Sequence, residues 1–90
     1  MSIKVHILPY LQYHTGGKDV VVVEGNTVSQ CLDDLTRQFP GLNAVLLDSS
    51  RKLFDYVDIY VNGESIYGQG LTRPVREGDE LHIILMIAGG

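Results

Sequence analysis

Few side chains in this sequence have the type and spacing that chemistry needs. The single cysteine, Cys31, falls at helical spacing with Val28, Leu32, Leu35 and Phe39, on the apolar face of a predicted helix. A thiol there packs as a small buried apolar group rather than serving as a nucleophile. His6, His14 and His82 fall in a strand pattern, a loop and a second strand pattern, with no metal-ligand spacing. Gly16-Gly17 and Gly68-Gln69-Gly70 read as turns rather than as phosphate-cradling loops. The eleven acidic residues form no evident catalytic pair. What remains is the end of the sequence. Leu81 to Ile87 is an apolar run broken only by His82, and it passes through Ala88 into Gly89-Gly90 and the α-carboxylate.

Glycine has no Cβ and takes φ of either sign, so a diglycine thread enters a channel that any larger residue would block. Three extended residues from Ala88 reach about 10 Å, which carries a carboxylate into another protein's active site. A frayed terminus has a similar composition. The core-like strand directly before the glycines, with no spacer, favours the reactive thread. The sequence thus points to a substrate or carrier whose distinctive group is its own C-terminus.

The elements that position this end follow from periodicity. Ile3, Val5 and Ile7 alternate with Lys4, His6 and Leu8, which predicts a first strand ended by Pro9. His14-Thr15-Gly16-Gly17 is turn chemistry, and Asp19 to Glu24 is a valine-rich second strand, so the two make a hairpin with a long loop. Thr27-Val28-Ser29-Gln30 fits a capping box for a helix that Pro40-Gly41 stops. Leu42 to Leu47 suggests a short helical turn and Asp48 to Lys52 a polar loop. Tyr56 to Val61 alternates again, Asn62-Gly63 signals a tight turn, and Glu64 to Tyr67 reads as a short strand. Gly68 to Pro74 reads as loop. Glu77-Gly78-Asp79-Glu80 then opens the last strand.

One amphipathic helix against a mixed sheet buries this pattern economically, an α+β arrangement of about five strands and one main helix. If Leu81, Ile83 and Leu85 face the helix, His82, Ile84 and Met86 face away. Leu8 and Tyr60 would lie beside them, giving an apolar patch next to the tail where a partner docks. A loop covering these residues would remove the patch.

Ninety residues suffice for one domain, residues 1–90, with 88–90 expected to be a flexible tail. Hydrophobic content of 44% with 20% charged residues fits a folded chain rather than a disordered one. A formal charge of −4, with its seven basic residues scattered, argues against nucleic-acid or anionic-membrane surfaces. No apolar run approaches the roughly 20 residues of a membrane span. Met-Ser-Ile-Lys-Val enters a strand pattern at once, so neither a signal peptide nor a location other than the cytoplasm is expected.

The order of strand, hairpin, capped helix, Tyr60-Val61-Asn62-Gly63-Glu64, Glu77-Gly78-Asp79-Glu80 and final Gly89-Gly90 resembles the ThiS/MoaD sulfur carriers of the ubiquitin-like β-grasp fold. The likeness covers essentially the whole sequence. Leu11 through Gly17, and Asp58-Ile59-Tyr60-Val61-Asn62, look most like the CysO-type carriers of cysteine biosynthesis. Where many members carry a proline before the last glycines, this sequence has Leu85-Met86-Ile87-Ala88.

The resemblance implies a non-enzymatic protein with no stably bound cofactor. A partner adenylyltransferase, like a ubiquitin-activating enzyme, would use ATP and Mg²⁺ to turn the Gly90 carboxylate into an acyl-adenylate. Displacement of AMP by sulfide or a persulfide would leave a thiocarboxylate on Gly90, with Gly89 supplying tail flexibility. Leu8, Tyr60, Ile84, Met86, Ile87 and Ala88 would contact partners. In the CysO-type case the acceptor is an aminoacrylate on the pyridoxal phosphate of a cysteine synthase, and a metalloprotease releases the cysteine. Thiamine thiazole, molybdopterin and thiolated tRNA remain alternative destinations for the sulfur. A protein modifier conjugated to lysines, and a non-reactive β-grasp interaction domain, are the alternative functions.

Overall fold

The computed structural model describes residues 1–86. In β1 (Ser2–His6), Ile3 and Val5 are fully buried while Lys4 between them is exposed, as period-two alternation requires. β2 (Val20–Glu24) pairs antiparallel with β1, burying Val21 and Val23 and leaving Val20, Val22 and Glu24 outside. The connection between them is more ordered than a loop. Pro9–Thr15 forms a 3-10 helix that ends at Gly16 with φ +64°. It buries Leu11 and Thr15, and the Thr15 hydroxyl donates to the Lys18 carbonyl at 2.7 Å.

α1 (Val28–Gln38) begins where the capping residues predict. The Gln30 N–H donates to the Thr27 hydroxyl at 3.1 Å, and the Gln30 side-chain oxygen accepts from the Asn26 N–H at 2.8 Å. The return bond thus reaches one residue further back than in the standard capping box. Val28, Cys31, Leu32 and Leu35 are buried as expected, and Thr36 joins them by donating to the Leu32 carbonyl at 2.9 Å. Gly25 lets the strand-to-helix turn lie directly on α1. A Cβ there would sit 2.8 Å from the Cys31 nitrogen and 3.0 Å from its sulfur. Pro40–Leu42 makes a 3-10 turn that runs into α2 (Asn43–Leu46).

β3 (Val57–Val61) leads through Asn62 and Gly63, both at positive φ (50° and 86°), into β4 (Glu64–Ser65). β4 is shorter than the sequence pattern suggests. Ile66 turns into the core instead of continuing the edge, and its N–H donates to the Ile59 carbonyl at 3.0 Å. The segment from Gly68 to Pro74 contains a 3-10 turn, Gly70–Thr72. β5 (Glu80–Leu85) runs between β1 and β3, parallel to the first and antiparallel to the second, so the sheet order is β2-β1-β5-β3-β4. Asn62 ties the β3–β4 turn to the start of β5. Its side chain donates to Asp79 and accepts from the Glu80 N–H, both at 2.9 Å.

α1 covers one face of this sheet, and the buried core extends from Ile3 to Ile83. Cys31 is 0% exposed. Burial pushes its thiol up to about 11. At neutral pH that cuts the reactive thiolate fraction by about 100-fold relative to an ordinary cysteine. Native protein is therefore expected to resist a thiol reagent that labels it readily in denaturant, and fast labelling without denaturant would contradict this packing.

Candidate docking face and carrier terminus

The open face of the sheet is built by the outward residues of neighbouring strands. The register pairs His6 with His82 and His82 with Tyr60, and places Asp58 beside Ile84. Leu81 and Ile83 face the helix and are buried, while His82 is exposed and Ile84 half-buried. The apolar run Leu81 to Ile87 is thus half core and half surface over its described length. Tyr60, Gly63, His82 and Ile84 line a shallow depression of about 370 Å³. Met86, 49% exposed, ends the described chain, and its N–H donates to the Tyr56 carbonyl at 2.7 Å.

Met86 also lines a larger groove of about 460 Å³ that includes Leu53, Phe54, Val57, Ile66 and Leu71. Of the docking residues expected from the sequence, Tyr60 and Ile84 are brought together. Met86 stands at the end of their strand but lines the other hollow. Leu8 is half-buried at the start of the 3-10 helix and lines neither. Ile87, Ala88, Gly89 and Gly90 lie outside the described residues.

Sequence reasoning missed the polar centre of this face. The His6 and His82 rings stack with centroids 4.1 Å apart and 2° between planes. The Glu80 carboxylate accepts from His6 Nε2 at 2.5 Å. That bond is the main cause holding the Glu80 carboxyl below its usual range, so the group is ionised at neutral pH. Two isolated histidines carry little signal, but the parallel β1–β5 register, once known, makes them neighbours. Among the described residues, no group of three or more His, Cys, Asp or Glu side chains is placed to hold a metal ion. No described helix is long and apolar enough to cross a membrane.

A mixed five-stranded sheet gripping one main helix, with its last strand central and parallel to the first, defines a β-grasp protein. The chain belongs to the ThiS family, whose model matches residues 5–90. It is 36% identical over 93 aligned residues to the sulfur carrier protein CysO of Mycobacterium tuberculosis, covering 100% of both chains. The CysO-like match in the crystal structure of the Amycolatopsis orientalis BexX/CysO complex superposes with a TM-score of 0.89 at 36% identity, over 98% of this chain and 99% of that one. The small archaeal modifier protein 1 of Methanosarcina acetivorans superposes with a TM-score of 0.86 at 25% identity, over 99% and 96%. Sulfur carriers are proteins that enzymes act on, and this chain is of that kind rather than an enzyme.

Proposed function

We propose that this chain carries sulfur as a thiocarboxylate on Gly90. The carboxylate, with a pKa of about 3.3–3.7, is ionised at neutral pH and is a poor electrophile until activated. One carboxylate oxygen attacks the α-phosphorus of Mg-bound ATP in a partner adenylyltransferase. Pyrophosphate leaves, and the acyl-adenylate forms. Sulfide attacks the acyl carbon and expels AMP, leaving sulfur in place of one oxygen. A persulfide's terminal sulfur instead gives an acyl disulfide, whose S–S bond a second thiol then attacks, releasing the thiocarboxylate and a new disulfide. The favoured destination is cysteine biosynthesis, with a pyridoxal phosphate-dependent cysteine synthase as acceptor enzyme and a metalloprotease restoring the diglycine end.

The observation that carries this reading is the end-to-end match to a protein named as a sulfur carrier, on a fold whose central strand leads to Gly89-Gly90. The test is ATP–pyrophosphate exchange with the cognate activating enzyme, followed by intact mass after a sulfur source is added. The expected product shows the mass change of one oxygen replaced by one sulfur. An unmodified mass after full activation would sink the thiocarboxylate. A second reading is favoured by the likeness to an archaeal modifier protein. There a lysine amine takes the acyl group instead. Tagged protein recovered from its host would then carry isopeptide-linked partners, whereas a pure carrier gives none.

A further inference from the structure

The edge strand β2 is a run of valines, Val20 to Val23, followed by Glu24. Edge strands present unpaired backbone groups and invite pairing with another chain. The β1–β2 ladder shows which groups those are. Ile7 N–H bonds the Asp19 carbonyl at 2.8 Å and Gly25 N–H bonds the Met1 carbonyl at 3.1 Å. With the register of Ile3 on Val23 and Val5 on Val21, the odd-numbered residues of β2 bond to β1. Val20, Val22 and Glu24 therefore aim their N–H and carbonyl groups at the open edge.

Two of those groups are already taken, and by side chains of α1. The Asp34 carboxylate accepts from the Glu24 N–H at 2.9 Å, and the Gln38 amide donates to the Val22 carbonyl at 3.1 Å. The pair is braced, since Gln38 also donates to Asp34 at 3.2 Å and Arg37 pairs with the other Asp34 oxygen. The carboxyl is held below its usual range, chiefly by the Glu24 N–H and then by Arg37, so it remains an acceptor at neutral pH.

We propose that Asp34 and Gln38 keep the β2 edge shut against a second copy of this chain. The strand is self-complementary about Val22. A two-fold antiparallel pair sets Val22 opposite Val22 and Val20 opposite Glu24, with no like charges facing. It would cover Val20 and Val22, now 36% and 54% exposed. Every rung of that ladder needs a group that α1 now holds. The central rung needs the Val22 carbonyl, and both outer rungs need the Glu24 N–H. The guard thus keeps a strongly β-forming edge from pairing with itself, independently of what the C-terminus does.

The test compares the parent chain with the double variant D34A/Q38A by sedimentation velocity and light scattering. The parent is expected to be a monomer, and the variant's mass is expected to double at the same concentration with its circular dichroism unchanged. Adding Val22→Lys to the double variant sets two ammonium groups face to face at the centre of the pair and should return it to monomer. A folded double variant that stays monomeric overturns the proposal, and so does a dimer that survives Val22→Lys. Amide exchange in the parent chain needs no variant. The Glu24 N–H is expected to exchange at least tenfold more slowly than that of Val22, and equal rates would overturn the guard even if the double variant failed to fold.

Discussion

Deleting Gly90 is expected to abolish adenylation and leave the melting temperature unchanged. Among the described residues the buried core runs from Ile3 to Ile83, and a glycine has no side chain to bury. On the proposed mechanism every reacting atom lies at the C-terminus. Acyl transfer needs its reacting atoms within about 3–3.5 Å, and a misplacement of about 1 Å can cost 100-fold. Removing one extended residue withdraws the carboxylate by roughly 3.3–3.6 Å. The pyrophosphate-exchange rate is therefore expected to fall by at least about 100-fold, beyond what excess ATP restores. Gly89→Val should also impair exchange without unfolding, because a β-branched residue is excluded from a channel that admits a backbone with no Cβ. A Gly90 deletion that is activated as well as the full-length chain would end the carrier reading and leave the diglycine without a chemical role.

Much of the frame behind that terminus was legible because its signals are local. Alternation at Ile3-Val5-Ile7 and Val57-Ile59-Val61 marks the strand faces, and Thr27 and Gln30 mark the helix start. Asn62-Gly63 marks a turn that requires positive φ at both residues. Cys31 was readable as core from helical spacing alone. Features depending on contacts between distant segments were not readable. Pro9–Thr15 has no helical stripe, since only Leu11 and Thr15 turn inward, and it is held by such bonds as Gln12 to the Ile7 carbonyl. β4 ends at Ser65 because Ile66 finds room in the core, a packing outcome with no sequence marker.

The candidate site divides in the same way. Tyr60 and Ile84 share a face by parity, which strand alternation supplies. That Leu8 stands apart follows from β1 ending at His6 and the chain turning into the 3-10 helix. The His6–His82 stack and the Asp34–Gln38 guard need register and helix placement, which lie beyond any window of sequence. The apolar groove under Met86 draws on Leu53, Phe54, Ile66 and Leu71, from segments that read separately as loop and short strand.

Ile84→Lys is expected to weaken binding to the activating enzyme about tenfold while the fold survives. Ile84 lines the depression with Tyr60 and His82 and leads, two residues on, to Met86 and the tail. On the proposed mechanism an enzyme that draws in the tail sits beside Met86, which is 49% exposed, and the Ile84 depression lies two residues away along the same chain. Fully burying such a side chain at an interface is worth roughly 1.5–3 kcal/mol. Ile84 is half-buried in the free chain, so the lower end applies, and about 1.4 kcal/mol is a factor of ten in affinity. Lysine is a better probe than aspartate. The cross-strand neighbour is Asp58, so an introduced carboxylate would repel it and weaken the β3–β5 pair, whereas an ammonium group is tolerated there. Val20→Lys supplies the control. It adds the same charge to the same sheet face on the far edge strand, away from β5, and should leave affinity unchanged. Calorimetry of both variants, with circular dichroism to confirm folding, separates docking from general electrostatics. Equal losses in the two variants would assign the effect to charge, and no loss in either would remove this depression from the interface.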